Sequence, residues 1–175
     1  EAGRRARAGR AAAAGGEEQG RAHQREDAAA GRSRTAWAMM VGMDPAAYDE
    51  LSLFHQNASE FGLPWPGPPS VRREDVALTG GGTLSALVWG PDVGPPELVL
   101  LHGGGQNAHT WDTVAMALGR PLAAIDLPGH GHSDGPRPGG NSTTNADDVA
   151  TAVEALAPSA AAVVGMSAGG LTSLG

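Results

Sequence analysis

The chain is 175 residues long and carries a formal net charge of −7, from 12 basic residues, all of them arginine, against 19 acidic ones. It contains no cysteine, which excludes disulfide scaffolds, cysteine-based zinc sites, iron–sulfur clusters and cysteine nucleophiles. Residues 1–34 hold 8 Arg and 5 acids (+3) whereas residues 35–175 hold 4 Arg and 14 acids (−10), so the portion able to fold repels a phosphate backbone and no nucleic-acid partner is expected.

Of the first 34 residues, 25 are Ala, Gly or Arg and none is Leu, Ile, Val, Phe, Tyr or Trp, so residues 1–38 are expected to be a disordered leader. A transit peptide would also be rich in Ala and Arg, but Glu17, Glu18, Glu26 and Asp27 break that pattern and no apolar signal core follows; a cytoplasmic location is expected. From Asp44-Pro45, a helix-opening pair, Tyr48, Leu51, Phe54, Ala58 and Phe61 recur at three- and four-residue intervals until Gly62. That spacing predicts an amphipathic helix over 44–62, followed by a stiff Pro-rich linker over 63–70.

From residue 71 the period changes to two. Asp75–Thr79 and Thr83–Trp89 alternate on either side of Gly80-Gly81-Gly82, which predicts a two-stranded hairpin. Leu98–Leu101 is apolar on both faces, ends in His102-Gly103-Gly104-Gly105, and leads to a helix with Trp111, Val114, Ala115 and Leu118 on its inner side. A second unit runs from Pro121–Ile125 through the loop Asp126–Gly135 to a helix burying Val149, Ala150, Val153, Leu156 and Ala157. A third begins at Ala161–Val164 and turns at Gly165 into a helix. The expected fold class is α/β: two leading strands, then parallel strand–loop–helix units whose right-handed crossovers gather all three loops at the carboxyl ends of the strands. Ala155–Gly175 is uncharged over 21 residues, but its Pro, Ser, Thr and Gly content fits a buried strand and helix, so no membrane partner is expected.

Gly165-Met166-Ser167-Ala168-Gly169 is a G-x-S-x-G at the third strand-to-helix junction. A serine hydroxyl becomes a useful nucleophile when it is exposed and oriented, which a sharp turn before a helix provides; the flanking Gly165 and Gly169 allow the turn and close helix approach. An acyl-transfer oxyanion needs backbone donors that are already in place. Ala168, just after the serine, and Gly104, in the glycine loop, are the candidates, with Gly103 in support and His102 as a positioner rather than a base.

Leu98–Trp111 (LVLLHGGGQNAHTW), Asp126–Asp134 (DLPGHGHSD) and Val163–Gly170 (VVGMSAGG), in this order and spacing, resemble the alpha/beta-hydrolase fold family, particularly its esterase-like branch. The resemblance implies a partial alpha/beta-hydrolase sheet over 71–175, with Ser167 as nucleophile, Gly104 in the oxyanion loop, and Asp126, Gly129, Gly131 and Ser133 shaping the loop after the next strand. It also implies a triad acid and histidine from later strands. The chain stops at Gly175, so it reads as the first part of a longer enzyme and is expected to be inactive alone. His102, His109, His130 and His132 all precede Ser167, against the family order of nucleophile, acid, histidine.

The implied function is hydrolysis of a small-molecule carboxylic ester or related acyl compound through an acyl-enzyme. Two alternatives differ in class. One is a non-catalytic binding module on the same scaffold. The other is a zinc hydrolase, since His130, His132 and Asp134 have the H-x-H-x-D spacing that resembles the metallo-beta-lactamase superfamily, although Gly135 stands where that pattern has a histidine. No cofactor is expected: a Walker A motif needs a lysine, and Gly103-Gly104-Gly105 lacks the G-x-G-x-x-G spacing. Neither the substrate within the acyl class nor the oligomeric state is specified.

Overall fold

The computed structural model describes residues 49–90, 94–135 and 142–174, with only the backbone for 142–144. The leader 1–38 and residues 44–48 of the expected amphipathic helix lie outside the described residues. Helix α1 (Phe54–Glu60) is shorter than the stripe from Asp44 to Gly62 suggests, because residues 50–53 turn without continuing it. Phe54 and Ala58 are buried, but Phe61 is 63% exposed. Gly62 takes φ +64° and the Leu63 N–H returns to the Ala58 carbonyl at 2.8 Å, so the chain reverses before Phe61 can join the stripe. The Pro-rich segment then lays Trp65 against the same core, edge-on to His55 with ring centroids 5.1 Å apart.

Strands β1 (Val71–Ala77) and β2 (Thr83–Trp89) pair antiparallel in a register from Val71↔Trp89 to Ala77↔Thr83. β1 begins four residues before Asp75, where the alternation starts; its charged Arg72-Arg73-Glu74 conceals the strand, although Arg73 has structural work at the site. Strands β3 (Leu98–Leu101), β4 (Leu122–Ile125) and β5 (Ala162–Gly165) complete a sheet of order β1-β2-β4-β3-β5. β4 is antiparallel to β2 and parallel to β3, which is parallel to β5. The expected α/β architecture is therefore present: a leading antiparallel pair followed by three parallel strand–loop–helix units. Their helices are α2 (Asp112–Leu118), reached through a 3-10 turn at Ala108–Trp111, then α3 (Ser142–Leu156) and α4 (Ala168–Thr172).

Side chains alternate across a strand, and that alternation divides the interior in two. Leu84, Ala86, Val99, Leu101 and Ile125 point to one face, where they pack with Val149, Ala152 and Ala157 from α3 and its end. Leu87, Trp89, Leu100, Leu122 and Ala124 point to the other and pack with Phe54 and Ala115. Helices thus cover both faces. Their inner sides differ from the sequence expectation in detail: on α2, Asp112 and Ala115 are buried while Val114 and Leu118 are 40% and 45% exposed, and on α3, Ala152 is buried in place of Ala150.

The uncharged run 155–175 separates into the end of α3, then β5 and α4, and among the described residues no helix is long and apolar enough to cross a membrane. The strand in that run is not buried as expected, for Val163 and Val164 are 42% and 43% exposed. Among the described residues β5 pairs with β3 alone.

Candidate active site

The turn from β5 into α4 places Ser167 at φ 51°, ψ −112°, the one non-glycine with positive φ among the described residues. Such backbone costs about 1–3 kcal/mol and persists only when its surroundings enforce it. Here the Met166 N–H donates to the Leu101 carbonyl at 3.0 Å and the Gly169 N–H to the His102 carbonyl at 3.1 Å, anchoring both sides of the serine to β3. A Cβ on Gly165 would lie 2.4 Å from the Gly169 carbonyl carbon and oxygen, and one on Gly169 would lie 2.4 Å from the Leu101 oxygen. Both glycines are therefore needed for the helix to sit this close to the sheet. Ser167 itself is exposed.

The loop after β3 faces this turn. Gly104 is exposed, and a Cβ built on it would meet only the Ala168 Cβ, at 4.0 Å. Its neighbours' amides are occupied: the Gly103 N–H donates to Gln106 Oε1 at 2.9 Å, the Gly105 N–H to His130 Nε2 at 3.2 Å, and the Gln106 N–H to the Gly103 carbonyl at 3.3 Å. Among the described residues no acceptor meets the Gly104 N–H or the Ala168 N–H. Two open backbone donors thus stand on facing loops beside an exposed serine.

The loop after β4 is built on Asp126, whose side chain is fully buried. Its Oδ1 accepts the Ala108 N–H at 2.6 Å; its Oδ2 accepts the His132 N–H at 3.0 Å and an Arg73 guanidinium N–H at 3.0 Å. The carboxylate is thereby compensated by a charge from β1 and by two backbone amides, the arrangement a buried anion requires. A Cβ on Gly131 would fall 2.3 Å from this carboxylate. Ser133 closes the loop by donating its hydroxyl to the Asp126 carbonyl at 2.6 Å and accepting the Ser85 N–H at 2.9 Å. Asp126 is fully engaged in holding loops together and does not reach the serine turn.

Two histidines join the loops. His102, fully buried, presents Nδ1 to the Gly103 carbonyl at 2.7 Å and Nε2 to the Leu127 N–H at 2.9 Å. A carbonyl can only accept and an N–H can only donate, so the ring is neutral with its proton on Nδ1. Burial pushes its pKa down from the ordinary histidine value, with the neighbouring His130 adding to the decrease, while the bond to Gly103 and the Asp126 charge oppose it. His130 repeats the pattern, Nδ1 on the Pro128 carbonyl at 3.0 Å and Nε2 accepting from Gly105, with its ring centroid 5.1 Å from that of His102.

Of the sequence candidates, Ser167, Ala168, Gly165, Gly169, Gly103, Gly104 and His102 come together where β3 and β5 end, and Asp126 supports the adjacent loop. His130, His132 and Asp134 do not assemble: no group of three potential ligands able to hold a metal occurs among the described residues. His130 has both nitrogens committed, and His132 contributes its backbone N–H to Asp126. Sequence reading missed Gln106, Arg73 and Ser85. Only Gln106 left a signal, an amide side chain three positions after Gly103. A cavity of about 360 Å³ lined by Trp65, Trp89, Met116 and Pro121 lies at the opposite end of the sheet, where β4 begins, and includes none of the site residues.

Comparison with known proteins agrees with this fold. The alpha/beta hydrolase fold family matches residues 96–174. Esterase Rv0045c of Mycobacterium tuberculosis is 46% identical over 127 residues, covering 72% of this chain and 40% of the relative. Its solved structure superposes with a TM-score of 0.64 at 45% identity, covering 73% of this chain and 42% of that one. The pimeloyl-[acyl-carrier protein] methyl ester esterase of Pectobacterium atrosepticum is 38% identical over 95 residues, covering 51% of this chain and 34% of the relative. The chain belongs to the alpha/beta-hydrolase fold family. It spans 40% or less of the length of these curated relatives.

Proposed function

We propose that the natural protein is a serine hydrolase that cleaves a small-molecule carboxylic ester. The observation that carries this is the strained, exposed Ser167 facing the open amides of Gly104 and Ala168. Relatives named as esterases support the ester over other acyl compounds. In the reaction, Ser167 Oγ adds to the ester carbonyl while a base takes its proton, and negative charge gathers on the former carbonyl oxygen between the two amides. Loss of the alcohol, which receives the proton, leaves an acyl-serine. Water then repeats the sequence, releasing the carboxylic acid and restoring the serine.

His102 and His130 cannot serve as the base, since each uses both ring nitrogens elsewhere. No histidine, aspartate or glutamate follows Ser167 in the 175 residues. We therefore assign the triad acid and histidine to the part of the fold that the longer relatives have and this chain does not include, and expect these 175 residues alone not to turn over an ester.

Turnover of short p-nitrophenyl esters by the natural protein and Ser167→Ala, with and without a chelator, is the test. The expected result is loss of turnover in the variant with no chelator effect. Activity retained in Ser167→Ala and lost on chelation would overturn the serine mechanism in favour of a metal, and no turnover by the folded natural protein would favour a binding module.

A further inference from the structure

The loops after β3 and β4 exchange imidazoles. His102, at the end of β3, accepts the Leu127 N–H of the second loop, and His130, in the second loop, accepts the Gly105 N–H of the first. The exchange has a chemical consequence for the three consecutive glycine amides. Gly103 is already bonded to Gln106 and Gly105 is bonded to His130, which leaves Gly104 as the open donor of the triplet. Freed from His130, the Gly105 N–H, at φ +73° and with no neighbour within 4 Å of a built Cβ, has no other partner among the described residues to fix the Gly104–Gly105 peptide plane, whereas the Gly103–Gly104 plane that carries the Gly104 N–H is held by His102 Nδ1 and the Gln106 N–H on the Gly103 carbonyl.

We infer that His130 is a positioning residue for the oxyanion loop: as a neutral imidazole protonated on Nδ1, it holds the peptide plane that follows Gly104 and so completes, from that side, the hold that His102 has on the plane carrying the Gly104 N–H, keeping this donor directed at the developing oxyanion. The catalytic consequence rests on the ester-hydrolase reading above; the orientation of the loop does not. His130 touches neither the serine nor the two open amides, so it acts through the backbone alone. The proton on Nδ1 is fixed by the Pro128 carbonyl, and the ring is supported by buried His102 at a centroid distance of 5.1 Å. This assigns to His130 a role different from the metal ligand that its H-x-H-x-D spacing suggests.

Two substitutions separate this role from bulk. His130→Ala removes the acceptor. His130→Gln carries a carbonyl oxygen to about the reach of Nε2 and can accept from Gly105 again. In the natural protein, His130→Ala should lower kcat for a p-nitrophenyl ester by about tenfold or more, approaching the roughly hundredfold loss of an oxyanion donor, with KM changed less than about threefold. His130→Gln should recover most of the lost kcat. An unchanged kcat in His130→Ala, or a His130→Gln variant as slow as His130→Ala at equal thermal stability, would overturn the inference. An independent arm needs no turnover: long-range ¹⁵N–¹H correlation of the His130 ring should report a protonated Nδ1 and a bare Nε2, and the Gly105 amide should exchange with solvent faster in His130→Ala. A proton on Nε2, or unchanged Gly105 exchange, also overturns it. If the natural protein turns over no ester while the ring and amide behave as stated, the ester reading falls and the loop orientation stands.

Discussion

Ser167 occupies backbone that glycine adopts more readily, and the strain it bears should be recoverable. Relief of this unfavourable positive-φ conformation is worth about 1–3 kcal/mol, against about 0.4–1 kcal/mol lost to the greater freedom of glycine in the unfolded chain. Ser167→Gly in the natural protein should therefore leave stability unchanged or raise it by up to about 2.5 kcal/mol while abolishing ester turnover, as read from denaturant titration and a p-nitrophenyl assay. A clear loss of stability would show that the serine side chain holds the turn. His102 gives a second residue-scale expectation. Burial holds its pKa below the ordinary value, so below about pH 6.5 the unfolded chain takes up a proton that the native ring resists. Its contribution to stability is fully present above that pH and is lost as pH falls towards the lowered native pKa. Between about pH 7.5 and 5.5, on either side of the free imidazole value, wild type should lose more stability than His102→Gln; equal losses would contradict the assigned protonation state. His102 stood out in the sequence because it ends an apolar strand before three glycines. The partner of its Nε2, the Leu127 amide, did not, since a contact between residues on different loops leaves no mark on either local pattern.

At the scale of elements, the glycines of the site fall into two kinds that sequence alone does not separate. Gly131 has φ +53° and a built Cβ would collide with the Asp126 carboxylate, whereas one on Gly104 would make only an ordinary contact with the Ala168 Cβ. Gly131→Ala should destabilise by about 3 kcal/mol, the upper range for forced overpacking, and Gly104→Ala by about 0.5 kcal/mol or less. Thermal unfolding of the two variants checks the contrast, and comparable losses would contradict it. Asp126→Ala should cost about 3–5 kcal/mol, because it leaves the Arg73 charge, the buried Ala108 amide and the His132 amide without this acceptor; denaturant titration measures it. The strands were legible where apolar residues alternate or run together, and β1 was read too short because Arg72, Arg73 and Glu74 sit on a strand by virtue of pairing with β2, not by their own preference. Helix faces were read less well. In α3 the alanines carry no size signal that separates the buried Ala152 from the exposed Ala150, and in α2 the buried Asp112 turned the inner face away from Val114 and Leu118.

For the whole molecule, the order β1-β2-β4-β3-β5 leaves β5 paired on one side only among the described residues, with Val163, Val164, Met166, Leu171 and Leu174 exposed around it. An apolar parallel edge of this kind recruits further chains. A polypeptide of these 175 residues should therefore self-associate at micromolar concentration in analytical ultracentrifugation, and a monomer with a sharp thermal transition would contradict this. The convergence of three loops was legible because consecutive strand–loop–helix units fix the handedness of their crossovers. The cross-bonding that assigns each loop amide its partner became visible only once those loops were placed. Peptide mapping of the natural protein after reaction with a fluorophosphonate, which phosphonylates an activated serine, tests whether Ser167 is the nucleophile. The expected result is a single adduct on Ser167 that is absent from Ser167→Ala. An adduct elsewhere that persists in Ser167→Ala, or no adduct on the folded protein, would contradict it.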